Sequence, residues 1–406
     1  MRVRPRQARP PTSLDFDSLV ARPIPGLIPV ADARAPLRVV IASLAPGGAE
    51  RIVVEWLAAE RARGRDAELA VLHARRNALA PPQGLVVRTR SRATLEAFVR
   101  GLAAQWRGHA APVCTHLVPD ELLRLFWDAG LRTVPTVHNA SPGWRNDAAG
   151  WSESNVPAAI ACAESVRGEL AESGCSVPIV TLRHRPRVGA AAFDPARREA
   201  IRAELRIAPD TLLIGAVGAI KAQKDYARAI EVLAAVARRR DAALVILGGV
   251  LDAAGLAELD RVMERALALR VAGRLRLPGF VAPIEPWLAA CDAMVNVSRF
   301  EGLSIAVQEA LAAGLPVVAT AVGDVPGIVA EDNKPLIVAP DDEAGFAAAL
   351  DSLADQPGLR RAIGEANREL AQERYDEREM IAAYARLYGE AIGRPTAFPG
   401  HQAHLS

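Results

Sequence analysis

Glu301 and Glu309 lie in the stretch Phe300–Thr320, FEGLSIAVQEALAAGLPVVAT. Glu301 belongs to a turn with Arg299 and Gly302, and the pattern predicts a helix from Ile305 to Ala313 with Ser304 as its side-chain N-cap. Gly314 stops that helix and Pro316 prevents its continuation. Glu309 then falls about 7 Å into it at 1.5 Å per residue. The start of such a helix offers unpaired N–H groups and the positive end of its dipole, which suit a phosphate. Gly302 leaves room for a ligand to approach the backbone. Carboxylates on either side of that turn are poorly placed to bind phosphate and well placed to accept hydrogen bonds from hydroxyls. A sugar against one and a ribose against the other is the chemistry this spacing allows. A loop glutamate followed by a solvated helix glutamate is the alternative that the residues alone leave open. Glycoside hydrolysis needs two carboxyls flanking one bond, whereas both of these project from a single loop–helix unit.

Cations, glycines and histidines elsewhere fit the same chemistry. Lys224 stands six residues past Gly218, before another predicted helix, with Lys221 ahead of it. A lysine there meets phosphates as they gain charge, through a hydrogen bond of about 1.5–3 kcal/mol; an exposed lysine at a helix start is the plain alternative. Gly47 and Gly48 either admit a pyrophosphate or acceptor to the backbone or only turn the chain. His138 ends an apolar run in T-V-H-N, and His116 ends the run before it, with Asp120 following. Capping or core histidines are the competing reading of both. Trp144 and Trp151 suit stacking on a sugar face or ordinary loop packing. Cys114, Cys162, Cys175 and Cys291 form no C-x-x-C pair and are read as reduced, buried thiols. No D-x-D triplet follows a predicted strand to hold a metal. No G-x-G-x-x-G does either, as a nicotinamide-dependent dehydrogenase would require.

The elements that must position these residues alternate along the chain. Apolar β-type runs are predicted at Leu37–Leu44, Glu68–Leu72, Leu85–Thr89, Pro112–Leu117, Thr133–His138, Ala158–Ala163 and Ile179–Leu182, with helices at Ala49–Arg63, Thr94–Trp106 and Glu121–Ala129. Arg183–Arg198, rich in Arg, Pro and Gly, reads as a linker. The alternation restarts with strands at Leu212–Val217, Ala243–Leu247, Leu275–Leu277, Ala293–Val297 and Pro316–Thr320, and helices at Tyr226–Ala237, Gly255–Leu269 and Ile284–Ala290. Continuous apolar strands joined by helices mean parallel sheets covered on both faces. The expected organisation is a disordered tail at 1–36, an α/β domain at 37–185, a second at 186–375, and a closing helix, Glu377–Ile392, within 376–406. Two such domains leave a crevice between them, and ligands sit outside the carboxyl ends of the strands. Half of the 406 residues are hydrophobic, enough for two cores, and a net charge of +2 gives no reason to expect a nucleic-acid partner. No apolar run reaches the roughly 20 residues that span a bilayer, and the tail lacks a signal-peptide core, so a cytoplasmic chain is expected.

Glu-x7-Glu followed by A-L-A-A-G-L-P-V-V-A-T resembles the motif of retaining glycosyltransferases of family 4. G-G-A-E at Gly47–Glu50, V-G-A-I-K-A-Q-K at Val217–Lys224, L-G-G at Leu247–Gly249, LPGFV at Leu277–Val281 and the R-Y-D…Y-A-R-L-Y tail fit the same family, so the resemblance spans most of residues 37–390. It implies the GT-B fold: two Rossmann-like doubly wound domains facing across a cleft, with a C-terminal helix crossing back. It implies a nucleotide-sugar donor, UDP- or GDP-linked, held by the second domain, and a glycan or lipid-linked acceptor on the first. By the same likeness Glu309 binds the ribose, Glu301 the donor sugar, and Gly302, Leu303 and Ser304 phosphate or sugar oxygens. Gly218, Lys221 and Lys224 lie at the diphosphate, Gly279 and Val281 at the base, and His138 reaches the sugar or acceptor across the cleft. No metal and no cofactor are implied. Two positions depart from the family: Ala219 stands where an Arg is usual, and His184 where an Asn-Gly turn is usual. A non-catalytic homologue, a phosphorylase and an epimerase of the same fold remain as alternatives. Arg88, Arg90, Arg92, Arg100 and Arg107 suit either peripheral membrane contact or a solvated face.

Overall fold

The architecture is that of a computed structural model, which describes residues 36–75, 78–109, 111–186 and 194–388. Nearly all of the expected tail, residues 187–193 of the expected linker and the end of the closing helix lie outside the described residues.

The first half runs β1 (Leu37–Ser43), α1 (Gly48–Ala62), β2 (Ala67–His73), β3 (Val86–Thr89), α2 (Leu95–Gln105), β4 (Val113–His116), α3 (Asp120–Asp128), β5 (Thr133–Val137), β6 (Ala159–Ala161), α4 (Glu164–Glu172) and β7 (Ile179–Thr181). The second runs α5 (Pro195–Glu204), β8 (Leu212–Val217), α6 (Tyr226–Ala237), β9 (Ala242–Leu247), α7 (Ala253–Ala268), β10 (Leu275–Gly279), α8 (Glu285–Ala290), β11 (Ala293–Asn296), α9 (Ile305–Ala312), β12 (Val317–Thr320), α10 (Val325–Ile328), β13 (Ile337–Val338), α11 (Glu343–Asp355) and α12 (Pro357–Arg374). α13 (Glu377–Arg386) follows.

β1 and β9 are Val-, Ile- and Leu-rich and buried on both faces, as inner strands of helix-covered parallel sheets must be. The first sheet has the order β3-β2-β1-β4-β5-β6-β7 and the second β10-β9-β8-β11-β12-β13. Both are parallel and doubly wound. In each, the order reverses beside the first strand, between β1 and β4 and between β8 and β11. Those two reversals open the loops in which a ligand of such a sheet sits. α13 crosses back onto the first half, where Tyr384 stacks on the fully buried Trp56 of α1 at 4.8 Å between ring centroids.

The expected linker is in part a helix. Asp194 Oδ1 accepts from the Ala196 and Arg197 amides at 3.0 and 3.2 Å, and Pro195 occupies the first turn, so α5 starts inside the Arg-rich stretch. Its arginines are ligands of the second half. Arg198 donates to Asp292 Oδ1 at 2.7 Å, while Arg202 reaches Asp292 Oδ2 at 3.2 Å and the Thr211 carbonyl at 2.6 Å. Asp292 also accepts from the Leu213 amide at 2.8 Å, which ties the starts of β8 and β11 to α5. Beyond the motif helix, Asn333 clamps the start of β12, accepting from the Val317 amide and donating to its carbonyl, both at 2.8 Å.

Asp292→Ala leaves Arg202 buried without its counter-ion. Urea denaturation should show a loss of about 3 kcal/mol, the scale of breaking a buried ion pair. A loss below about 1 kcal/mol would mean that the carbonyls around Arg202 suffice.

Candidate active site

Glu301 follows β11 and is buried. Lys224, in the short turn after β8, places Nζ 2.6 Å from Glu301 Oε1. Ser298 Oγ lies 2.7 Å from the same carboxylate oxygen and 2.6 Å from Asn296 Oδ1, and its single proton serves one of them at a time. Gln223 Nε2 donates to the Phe300 carbonyl at 2.8 Å and reaches Asn139 Oδ1 of the first half at 3.2 Å. Gly218 lies beneath the lysine with φ +135°, which calls for glycine, and a Cβ there would come 2.9 Å from Lys224 Cε. The strand ends on both sides of the β8/β11 reversal thus bring a cation and an anion together.

Ser304 occupies the N-cap position of α9 as expected, but its side chain makes no capping bond. Its Oγ instead accepts from Asn296 Nδ2 at 3.3 Å, so the first amides of the helix have no side-chain acceptor. Leu303 is buried. Gly302 faces the first half: a Cβ there would come within 3.2 Å of the His138 carbonyl. Gly279 ends β10 and bridges to Gly248, and Phe280 beside it packs over Gly249, while Val281 is half-buried against the core. This turn lies at the edge strand of the second sheet, and Gly248 connects it to the Gly218 carbonyl beneath Lys224.

Glu309 is paired with Arg51 of α1, Nη1 to Oε1 at 2.6 Å. Burial pushes Glu309 above the usual carboxylate range, with Arg51 opposing. Gly48 packs on the Ile305 side chain of α9, so the first turns of the two helices meet. The Glu50 carboxylate folds back over Gly47. Burial pushes it up to about 7, against its own amide, Lys221 and Arg75. Lys221 is held below the ordinary lysine range by desolvation, then by Lys224, with Glu301 and Glu50 opposing. Asp324 of the second half accepts from the amides of Glu164 and Ser165, at 3.1 and 2.9 Å, and so caps α4 from across the cleft.

The two competing histidines form one unit. His116 Nδ1 lies 2.9 Å from His138 Nε2. Burial first, then His184 and His116, hold His138 well below its usual value, and burial and His184 lower His116 to about 3. Both rings are neutral at ordinary pH, and one proton lies between them. Of the two outer nitrogens, His138 Nδ1 and His116 Nε2, one carries a proton and the other a lone pair. His184, the family departure, sets its ring 4.8 Å from that of His138, tilted by 45°, and bonds Tyr384 Oη of α13 at 2.8 Å. Its carbonyl accepts from Gln308 of α9 at 3.1 Å. Trp151 and Asp120 belong to loop packing, since buried Trp151 donates to Asp120 Oδ1 at 3.1 Å. Trp144 donates to the Asn139 carbonyl at 2.5 Å. All four cysteines are free; Cys114, Cys162 and Cys291 are buried and Cys175 is half-buried. Among the described residues, no group of three or more His, Cys, Asp or Glu side chains is placed to hold a metal ion.

Arg51, Asn139, Gln223 and Asp324 are absent from the sequence reading. Arg51 follows the G-G-A-E turn directly, but nothing in the sequence tells a helix arginine facing solvent from one facing Glu309.

Two doubly wound parallel sheets, with the conspicuous side chains gathered between their carboxyl ends, define the GT-B class. The solved structure of Anabaena HepE in complex with UDP-glucose superposes with a TM-score of 0.72 at 17% identity, covering 86% of this chain and 98% of that one. The profile of the Glycosyl transferases group 1 family matches residues 197–370. A D-inositol 3-phosphate glycosyltransferase of Streptomyces bingchenggensis is 30% identical over 329 residues, 74% of this chain and 72% of that protein. The lipopolysaccharide core biosynthesis glycosyltransferase LpsE of Rhizobium meliloti is 29% identical over 46% of this chain, which spans about half, 52%, of its length. The chain belongs to the group 1 glycosyltransferases.

Glu50 has a measurable consequence for stability. The native state keeps its proton to about 7, whereas the unfolded chain releases it near 4.5, so stability falls as pH climbs through that window. Glu50→Gln abolishes the loss. Its thermal stability should pull ahead of the parent's between those values, by at most roughly 3 kcal/mol at 1.36 kcal/mol per pKa unit. A difference independent of pH would place the Glu50 carboxyl in water.

Proposed function

We propose that the chain transfers a glycosyl group, with retention of configuration, from a nucleoside diphosphate sugar to a hydroxyl of a glycan or lipid-linked acceptor. The observation that carries this reading is the Lys224–Glu301 pair, set where the second sheet reverses, with the His138 carbonyl of the first half against the neighbouring Gly302. The residues around it divide by chemistry. The uncapped start of α9, Lys224 and Lys221 answer the charge of a diphosphate. Lys221 takes up the work that Ala219 cannot do. Glu301 and Glu309 accept from sugar and ribose hydroxyls. The turn at Gly279 and Val281 seats the base, and Gly47 and Gly48 face the diphosphate from the first half.

In the proposed reaction the bond from the sugar's anomeric carbon to the phosphate oxygen breaks, and a bond to the acceptor oxygen forms on the same face. The acceptor's proton passes to the departing phosphate. Charge on that phosphate grows as the bond breaks, so Lys224 leaves Glu301 for it and stabilises the transition state more than the bound donor. Glu301, freed from the lysine, holds the sugar. His138, neutral and with no partner for its buried Nδ1 among the described residues, is the group assigned to a sugar or acceptor hydroxyl in this reading.

A solved structural neighbour and two curated relatives point to the molecules worth trying. UDP-glucose is bound by HepE, which makes UDP-sugars the first donors to test. The names of the curated relatives favour a phosphorylated polyol or a lipopolysaccharide intermediate as acceptor. No helix among the described residues is long and apolar enough to cross a membrane. A cytoplasmic enzyme meeting a lipid-linked acceptor at the inner membrane face would use Arg90, Arg92 and Arg107, since Arg88 and Arg100 are engaged by Glu68 and Glu96.

Transfer from a panel of UDP- and GDP-sugars tests the reading. Lys224→Ala should lower kcat by about 10-fold or more with little change in the donor KM. His138→Ala should lower transfer by about 100-fold, the usual scale for a positioned catalytic group. Donor cleavage that needs inorganic phosphate, or isomerisation of the donor alone, would replace transfer by phosphorolysis or epimerisation. No turnover with any donor would leave a binding protein.

A further inference from the structure

The ion pair between Arg51 and Glu309 joins opposite sides of the cleft. Arg51 stands on α1, one turn past the Gly47–Gly48 loop of the first half, and Glu309 stands on α9 of the second. The Glu309 side chain is 9% exposed and that of Arg51 32% exposed. Contact between Gly48 and Ile305 fixes how closely the two helices approach. The other charged groups facing Glu309 are Glu285, at the start of α8, and Lys224. Glu55, one turn along α1, stands 3.8 Å from the Arg51 guanidinium on its other side.

We propose that Arg51 is a positioning residue for the donor: reaching over from the first half, it holds the Glu309 carboxylate in place for the ribose hydroxyls. The proposal rests on Glu309 being the ribose ligand. Arg51 engages one oxygen of a carboxylate that has about four acceptor sites, so two hydroxyls still find room. The arginine is needed because the site is dry. Burial favours the protonated carboxyl, and a protonated Glu309 is a poor acceptor for two hydroxyl donors. Arg51 is the stronger of the two cations that oppose this; Lys224 is the weaker, and Glu285 works the other way. The ribose seat is therefore complete only when the two halves are together, so nucleotide binding and closure of the cleft are coupled through this pair.

Calorimetry with UDP, and with GDP in parallel, on the full chain decides the matter. Glu309→Gln should weaken binding about 10-fold. Arg51→Met, which keeps the packing stem, should weaken it by a similar factor, more at acid pH and less as rising pH ionises Glu309 without help. Arg51→Lys should recover part of the loss. With 2′,3′-dideoxy-UDP, which lacks the hydroxyls, Arg51→Met should bind as the parent does. Three results overturn the proposal while leaving Glu309 as ribose ligand: parental UDP affinity in Arg51→Met at every pH, tighter binding in that variant, which would make Arg51 a plug, or an equal loss with the dideoxy nucleotide, which would put Arg51 on the phosphates. Parental affinity in Glu309→Gln removes the ribose reading and this proposal with it.

Discussion

Lys224, Glu301 and Glu309 in the cleft are largely withdrawn from water, and a withdrawn charge persists only beside an opposite one. That constraint organises the cleft. Lys224 and Glu301 answer each other within the second half, while Arg51 and Glu309 do so between the halves. Asp324 is answered by two amides at the start of α4. Glu50, with no partner as close among the described residues, is the carboxyl whose proton is held to about 7. In the proposed reaction a donor carrying two phosphates and several hydroxyls would change these partnerships, bringing negative charge to the lysines and hydrogen-bond donors to the carboxylates.

The halves meet through small residues and backbone. Gly302 abuts the His138 carbonyl, Gly48 abuts Ile305, and Gly143 lies against Phe300. Side chains at these positions would hold the sheets apart and leave Arg51 short of Glu309. Behind the seam, the histidine unit links three strand ends of the first half to Tyr384 on the returning helix. Its neutrality follows from burial, and its internal proton makes the outer face of His138 dependent on His116. The histidine that departs from the family pattern, His184, thus fills space against His138 and receives Gln308 from the motif helix.

Strands are legible in the sequence because a buried parallel strand has one appearance, a short apolar run bounded by turn residues. β8 and α6 lie where their apolar periods end, at Leu212–Val217 and Tyr226–Ala237. The start of α5 is less legible, because arginines that bind Asp292 and carbonyls look the same in sequence as arginines in a linker. The Glu301–Glu309 spacing is legible because it sits on one loop–helix unit. Arg51, Gln223 and Asp324 are not, because their partners lie more than seventy positions away in the chain. Local pattern carries no information about that distance. Ser304 shows the limit at short range, since it has the right type for a cap but turns to Asn296.

In the proposed reaction one nucleotide-sugar donor is handled from both halves at once, by Lys224 of the second at its phosphate and His138 of the first at a sugar or acceptor hydroxyl. A double-mutant cycle on kcat/KM for glycosyl transfer, using Lys224→Ala, His138→Ala and the double variant, tests this most directly. Residues acting on the same transition state are coupled, so the double variant should lose less than the sum of the single losses, by about 1 kcal/mol or more. Losses that add to within about 0.5 kcal/mol would show two independent effects and contradict the shared site.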